Sequence, residues 1–165
     1  MKRRTLITMV GAAAILPISG CNGGDGSDIN IDTSSPEAVV ESFRQAVDEL
    51  GQNSSAEDII DAIDPALHSA SPLPARIRDW EDPSDSAYIT HDVARIEATV
   101  IDEDLDASQL TREFGAALDG VSQTEVETIA EANALVEASL EFEEAPDGTT
   151  QHLTAPEGGD WFIVI

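Results

Sequence analysis

The fold class of this chain is decided by residues 134–165, which read ALVEASLEFEEAPDGTTQHLTAPEGGDWFIVI. In the first ten of them apolar and polar residues alternate, which is typical of a half-buried β-strand. Pro146-Asp147-Gly148 predicts a turn after which 149–155 pairs back, and Glu157-Gly158-Gly159 predicts a second turn. The last strand, 160–165, is apolar on both faces, so we expect it to be central in the sheet or covered.

The residues before this meander are mainly helical in pattern. The first helix is the best marked: Ser35 can cap it, Pro36 suits its first position, and apolar residues recur at helical spacing up to Gly51. Further helices are predicted over 55–63, 109–118 and 122–132, and a strand over 93–101. Helices followed by an antiparallel meander predict one α+β domain over 35–165.

The N-terminus has the three zones of an export signal. Lys2, Arg3 and Arg4 are followed by about 13 mostly apolar residues, a run too short to cross roughly 30 Å of hydrocarbon as a helix. Arg3 and Arg4, with Thr5 and two apolar residues behind them, resemble the twin-arginine export motif. We therefore predict that residues 1–20 are a signal peptide.

Cys21 follows this signal in the sequence Ile18-Ser19-Gly20-Cys21, which resembles a lipoprotein box. It is the only cysteine, so an internal disulfide is excluded. Residues 22–34 begin with Gly, Ser, Asn and Asp and are predicted to be a flexible tether. The sequence thus predicts a domain held at the outer face of the cell membrane by a lipid on Cys21.

The charge balance is strongly acidic. The chain has 33 Asp and Glu against 8 Lys and Arg. Beyond the signal peptide only five cations remain, all arginine, which gives residues 21–165 a formal charge of −28. Such a surface repels nucleic acid and is compatible with a cationic partner. Its carboxylates are dispersed along the chain, however, which favours instead a protein that works in molar salt, where the Debye length is about 3 Å.

Two segments carry a family resemblance. Residues 35–43, Ser-Pro-Glu-Ala-Val-Val-Glu-Ser-Phe, and residues 159–164, Gly-Asp-Trp-Phe-Ile-Val, resemble the nuclear-transport-factor-two-like superfamily, in particular small exported lipoproteins of halophilic archaea. The resemblance implies a curved antiparallel sheet that wraps N-terminal helices into a cone and ends on a central C-terminal strand. It also implies a pocket at the open end of the cone. The two helices predicted between Ile101 and Asn133 depart from the family pattern.

Metal and cofactor chemistry has little support in the sequence. His68, His91 and His152 are scattered, without the spacing of a zinc site, and we expect each at the surface or at a pocket rim. Asp102, Asp104, Asp106 and Glu113 match four calcium-loop positions, but the glycine needed at position six is Ala107. We therefore expect Asp106 to cap a helix, and predict no metal and no cofactor.

Several residues remain as site candidates. Trp80, Tyr88, His91 and Arg95 are candidates for lining the implied pocket, and His68 and Asp92 join them if the pocket is catalytic. Asn53, in Asn53-Ser54-Ser55, is a candidate for glycosylation. Phosphate loops, nucleotide fingerprints and nucleophile elbows are absent from the sequence.

Three functions remain open at this point. The first is a lipid-anchored domain that binds a small ligand or a partner protein without chemistry. The second is a cone-fold isomerase or cyclase acting on a small apolar substrate, and the third is a structural module that forms a homodimer through its sheet. An open apolar pocket favours ligand binding, whereas a filled one favours the structural module.

Overall fold

A computed structural model describes residues 30–50, 54–79 and 93–165, and its helices and antiparallel sheet confirm the predicted α+β class. The helices are α1 (Pro36–Glu49), α2 (Ala56–Ile63), α3 (Leu73–Arg78), α4 (Ala107–Phe114) and α5 (Gln123–Glu131). The strands are β1 (Val93–Glu103), β2 (Ala134–Phe142), β3 (Gly148–Glu157) and β4 (Asp160–Ile163). Among these residues, no helix has the length and apolar character to cross a membrane.

Local capping chemistry fixes where the helices begin. The Ser35 hydroxyl accepts the Ala38 N–H at the start of α1, and Pro36 occupies the first turn. Reciprocal capping boxes open α2 at Ser55 and α5 at Ser122, the residues at which the two predicted helices begin. The α4 helix begins two residues earlier than predicted because Asp106 caps it with Gln109 as the third residue of the box.

The sheet is an antiparallel meander in the order β1-β2-β3-β4. Leu135 faces Leu153 and Val136 faces His152 across the β2–β3 pair. Because successive strand residues point to opposite faces, these two pairs lie on opposite sides of the sheet. Val136 belongs to the core beneath α1 and α2, and Leu135 to a second core beneath α4 and α5. Near Leu135 the sheet therefore has helices on both faces.

The predicted central position of the last strand is wrong, since β4 lies at the sheet edge. Its apolar character has another cause, because Ile163 packs in the core beneath α1 while Val164 and Ile165 pack in the core beneath α4 and α5. Two short segments also pair with its outer edge. The Trp161 N–H donates to the Thr33 carbonyl (2.8 Å), and the His68 N–H donates to the Ile163 carbonyl (2.9 Å). Leu67 also forms a parallel bridge with Ile163. Among the described residues, these two segments, and not another strand, cover β4, so the expectation that it is covered is met.

The domain begins before Ser35, the boundary expected from the sequence. Ile31 packs against the core beneath α1, and the Asp32 N–H donates to the Ser42 hydroxyl (3.0 Å). With Thr33 bonded to β4, residues 31–34 lie against the domain instead of belonging to the tether. Any tether from Cys21 therefore ends at about Asn30.

Two acidic residues of α1 cover the edge of β1 that has no strand partner in the described part of the chain. The Glu41 carboxylate accepts the Ala98 N–H at 3.1 Å, and the Asp48 carboxylate accepts the Val93 N–H at 3.1 Å. A carboxylate on an edge N–H satisfies that donor and blocks the approach of another strand.

Replacing Glu41 with alanine tests this edge protection. We expect Glu41→Ala to lower the free energy of unfolding by about 1 kcal/mol, because the Ala98 N–H loses its charged acceptor. Denaturant titration at fixed high salt measures the change, with Glu41→Gln expected to retain most of the bond. Glu49→Ala, an exposed position of the same helix, is the matched control. Equal losses for Glu41→Ala and Glu49→Ala would contradict this role for Glu41.

Candidate functional site

The interior beneath α1 holds two polar side chains that the sequence did not single out as a pair. Arg44 is fully buried, and His152 on β3 is 1% exposed, which corrects the expectation that each histidine lies at the surface or a pocket rim. The Phe43 ring meets the His152 imidazole edge-on, with the centroids 5.4 Å apart. Burial, together with the nearby Arg44 charge, lowers the pKa of His152 to about 3, so its ring is neutral near pH 7.

A signal for Arg44 was present in the helix pattern. Val40, Phe43 and Val47 mark the buried stripe of α1, and Arg44 lies four residues after Val40 and three before Val47. Residues at these spacings share one helix face, so the phase alone places Arg44 inside. The burial of His152 could be inferred only from the strand pairing, because its neighbours in the sequence are both polar and apolar.

A large hollow lies on the opposite side of the sheet, between α4 and α5. This cleft has a volume of about 740 Å³. Its floor is apolar and belongs to the second core, with Leu118 and Val126 nearly buried. Ser108, Thr111 and Gln123 contribute hydroxyl and amide groups to its walls. A volume between 300 and 1,000 Å³ with an apolar floor and a few polar groups is typical of ligand-binding clefts.

Two smaller hollows continue the cleft towards the β3–β4 turn. A middle hollow of about 400 Å³ shares Asp119 and Gly120 with the α4–α5 cleft. A hollow of about 200 Å³ at His68 shares Ser69, Ala70 and Glu125 with the middle one. We call these three adjoining hollows the groove.

Hydrogen bonds fix the His68 end of the groove. The His68 Nδ1 accepts the Ala70 N–H (3.1 Å), and its Nε2 lies 3.9 Å from Glu157 Oε2. Glu157 Oε2 also accepts the Ser69 N–H, and this bond lowers the pKa of Glu157. His68 thus lies on a groove wall, which confirms the predicted rim position.

Asn133 lies between α5 and β2 and connects α5, one wall of the α4–α5 cleft, to the residues that follow β1. Its side-chain amide is buried and bonds both backbone groups of Leu105 and the Ile129 carbonyl. These bonds join the end of β1 to the end of α5. Asp104 beside them has a φ of 54°, in the left-handed region that aspartate tolerates better than most residues. No pattern in the sequence marked Asn133 as this connection.

The calcium pattern in 102–113 does not form a loop. The α4 helix begins at Ala107, position six of the pattern, so the later positions are helical. The Asp106 carboxylate accepts the N–H groups of Ser108 and Gln109, which confirms its predicted capping role. The described ranges contain no group of three or more His, Cys, Asp or Glu side chains placed to hold a metal ion.

Of the residues predicted to line the implied pocket, the structure describes Arg95, and of the two added for a catalytic pocket it describes His68, which lies on the groove wall. The Arg95 side chain is exposed, pairs with Glu97 and Glu141, and borders a hollow of about 170 Å³ between α1 and the β1 edge. This hollow is small for a ligand site. The other site predictions fall on residues outside the described ranges: Arg3, Arg4, Cys21, Asn53, Trp80, Tyr88, His91 and Asp92.

Comparisons of the chain with protein-family models, with curated proteins and with solved structures give no match.

Proposed function

We propose that the chain is an exported, lipid-anchored domain that binds a partner or ligand in the groove at the outer face of the membrane. The observation that carries the binding role is the α4–α5 cleft, which has an apolar floor, hydroxyl and amide walls, and a volume of about 740 Å³. The anchor and the twin-arginine route rest on the sequence of residues 1–21. The acidic composition supports a working environment of high salt.

The other functions have weaker structural support. The resemblance to the cone-shaped superfamily implies a pocket at the open end of a cone that encloses the space between the N-terminal helices and the sheet. That space contains fully buried Val39, Val40 and Phe43 together with Arg44, so it is filled by the protein's own side chains. Homodimerisation through the sheet is disfavoured by like charge. The sheet face that points away from α1, here called the outer face, carries Glu97, Glu137 and Glu141 near Arg95.

A photocrosslinking residue in the cleft tests the binding role. We place benzoylphenylalanine at Ser108, which is exposed on α4 and lines the cleft, in the full chain expressed in its membrane at high salt. Thr149, exposed on the outer face at the start of β3, is the matched control position. We expect a discrete crosslinked product from Ser108 and none from Thr149. Equal yields from both positions would contradict a binding groove.

A further inference from the structure

The path of the chain towards the anchor ends beside the groove. Thr33 is bonded to Trp161 at the outer edge of β4, and Trp161 pairs with Pro156 of β3. Pro156 and Glu157 line the His68 end of the groove. Neighbouring strands are about 4.8 Å apart, so this end of the groove lies about 10 Å from the point where residues 31–34 meet the domain.

Chain length limits how far the groove can be from the anchor. Nine residue steps separate Cys21 from Asn30, and a fully extended chain covers at most about 3.4 Å per residue. Whatever the conformation of these residues, the span is therefore no more than roughly 30 Å. With the three further steps from Asn30 to Thr33, a lipid on Cys21 would keep the His68 end of the groove within about 50 Å of the membrane surface.

The groove has more carboxylates than arginines on its walls: against Arg76 and Arg112 it has Asp79, Asp119, Glu125, Glu127 and Glu157. Arg112 donates to the Glu113 carboxylate (2.8 Å), whereas Arg76 donates to the neutral Ala117 carbonyl (3.3 Å) and keeps its positive charge. Asp119 and Glu127, both exposed on the walls of the cleft, form no ion pair within the described part of the chain. The groove thus combines an apolar floor with negative walls, which complements a segment that carries both cationic and apolar side chains.

We propose that the groove binds an extended, basic segment of another protein held in the same membrane. This inference rests on the proposed function, because it requires both the anchor and the groove. The short span to Cys21 confines the groove to the membrane surface. A partner held in the same membrane therefore meets the groove at a higher effective concentration than a freely diffusing partner does. Apolar side chains of the segment contact the floor at Leu118 and Val126, and its cations contact Asp119 and Glu127.

The test uses the lipid-anchored full chain in phosphatidylcholine vesicles, with the crosslinker at Ser108. The probe is a synthetic peptide, Gly-Lys-Leu-Lys-Gly-Leu-Lys-Leu-Lys-Gly, palmitoylated through a short spacer and placed in the same vesicles. We expect at least fivefold more crosslinking with this peptide than with its glutamate analogue. Combined Asp119→Asn and Glu127→Gln is expected to lower the yield at least threefold. Combined Asp147→Asn and Glu143→Gln, the same charge change near the β2–β3 turn, is expected to leave it unchanged.

Each contrary result has a distinct meaning. Equal losses from the two charge-neutralising pairs would show attraction to the whole acidic surface and overturn the inference. An unlipidated peptide that crosslinks equally well at the same total concentration would contradict the inference that the partner is held in the membrane. If Ser108 crosslinks a protein in native membranes while the lysine peptide fails in vesicles, the proposed function stands and this inference falls. If Ser108 gives no product in either setting, both fail.

Discussion

Replacing Asn133 with alanine is expected to lower the free energy of unfolding by about 3 kcal/mol. The Asn133 side chain makes three hydrogen bonds of 2.9 to 3.1 Å in a buried position. Without it, the Leu105 N–H and the carbonyls of Leu105 and Ile129 lose their partners, and each unsatisfied buried group costs about 1–3 kcal/mol. Asn133→Asp is expected to cost as much, because it replaces the amide donor with a charge that faces two carbonyls.

Denaturant titration at fixed salt measures the loss, and hydrogen exchange locates it. We expect faster exchange first in 105–131, since Asn133 connects α5 to the end of β1. Gln151→Ala is the control, because it removes an exposed amide whose contact is with Glu137 (3.3 Å) and should cost less than about 0.5 kcal/mol. A loss below about 1 kcal/mol for Asn133→Ala would show that water or rearrangement satisfies these groups.

The second large effect is a pH dependence due to His152. The imidazole has an ordinary pKa near 6.5 in the unfolded chain and about 3 in the folded protein. Between these two pKa values the unfolded chain binds a proton on His152 and the folded protein does not. The free energy of unfolding therefore falls as the pH falls from about 6.5 towards 3. Between pH 6.5 and 4.5 this loss amounts to about 2 kcal/mol.

Comparison with His152→Gln isolates this contribution. The carboxylates of the chain protonate in both proteins, so their effect on stability cancels in the difference between them. We expect the wild-type protein to lose about 2 kcal/mol relative to the variant on going from pH 6.5 to 4.5, measured by denaturant titration at constant salt. A constant difference across this range would mean that the folded protein protonates His152 as readily as the unfolded chain.

Local chemistry explains which parts of the fold could be predicted. Ser35, Ser55, Ser122 and Asp106 cap helices through atoms at most three residues away, so the sequence carries the whole signal. The turn before β4 is equally local, since Gly158 and Gly159 adopt positive φ values of 67° and 104°. These predictions are confirmed.

The errors concern contacts between distant residues. The apolar β4 suggested a central strand, but residues 33 and 67–68 cover it, and no local pattern reveals that pairing. The groove likewise depends on the packing of α4 and α5 against one face of β2 and β3, which the separate helix patterns leave open. His152 is buried because its register partner is Val136, a residue of the core beneath α1.

The mass of the mature protein tests the central claim, a lipid-anchored domain, most directly. We would extract the chain from membranes of cells that express it at high salt and measure its intact mass, beside a Cys21→Ser variant. We expect a chain that begins at Cys21 and carries the added mass of a lipid, and a variant that leaves the membrane fraction. A membrane-bound chain that begins at Met1 with an unmodified cysteine, or a Cys21→Ser variant that stays wholly with the membrane, would contradict it.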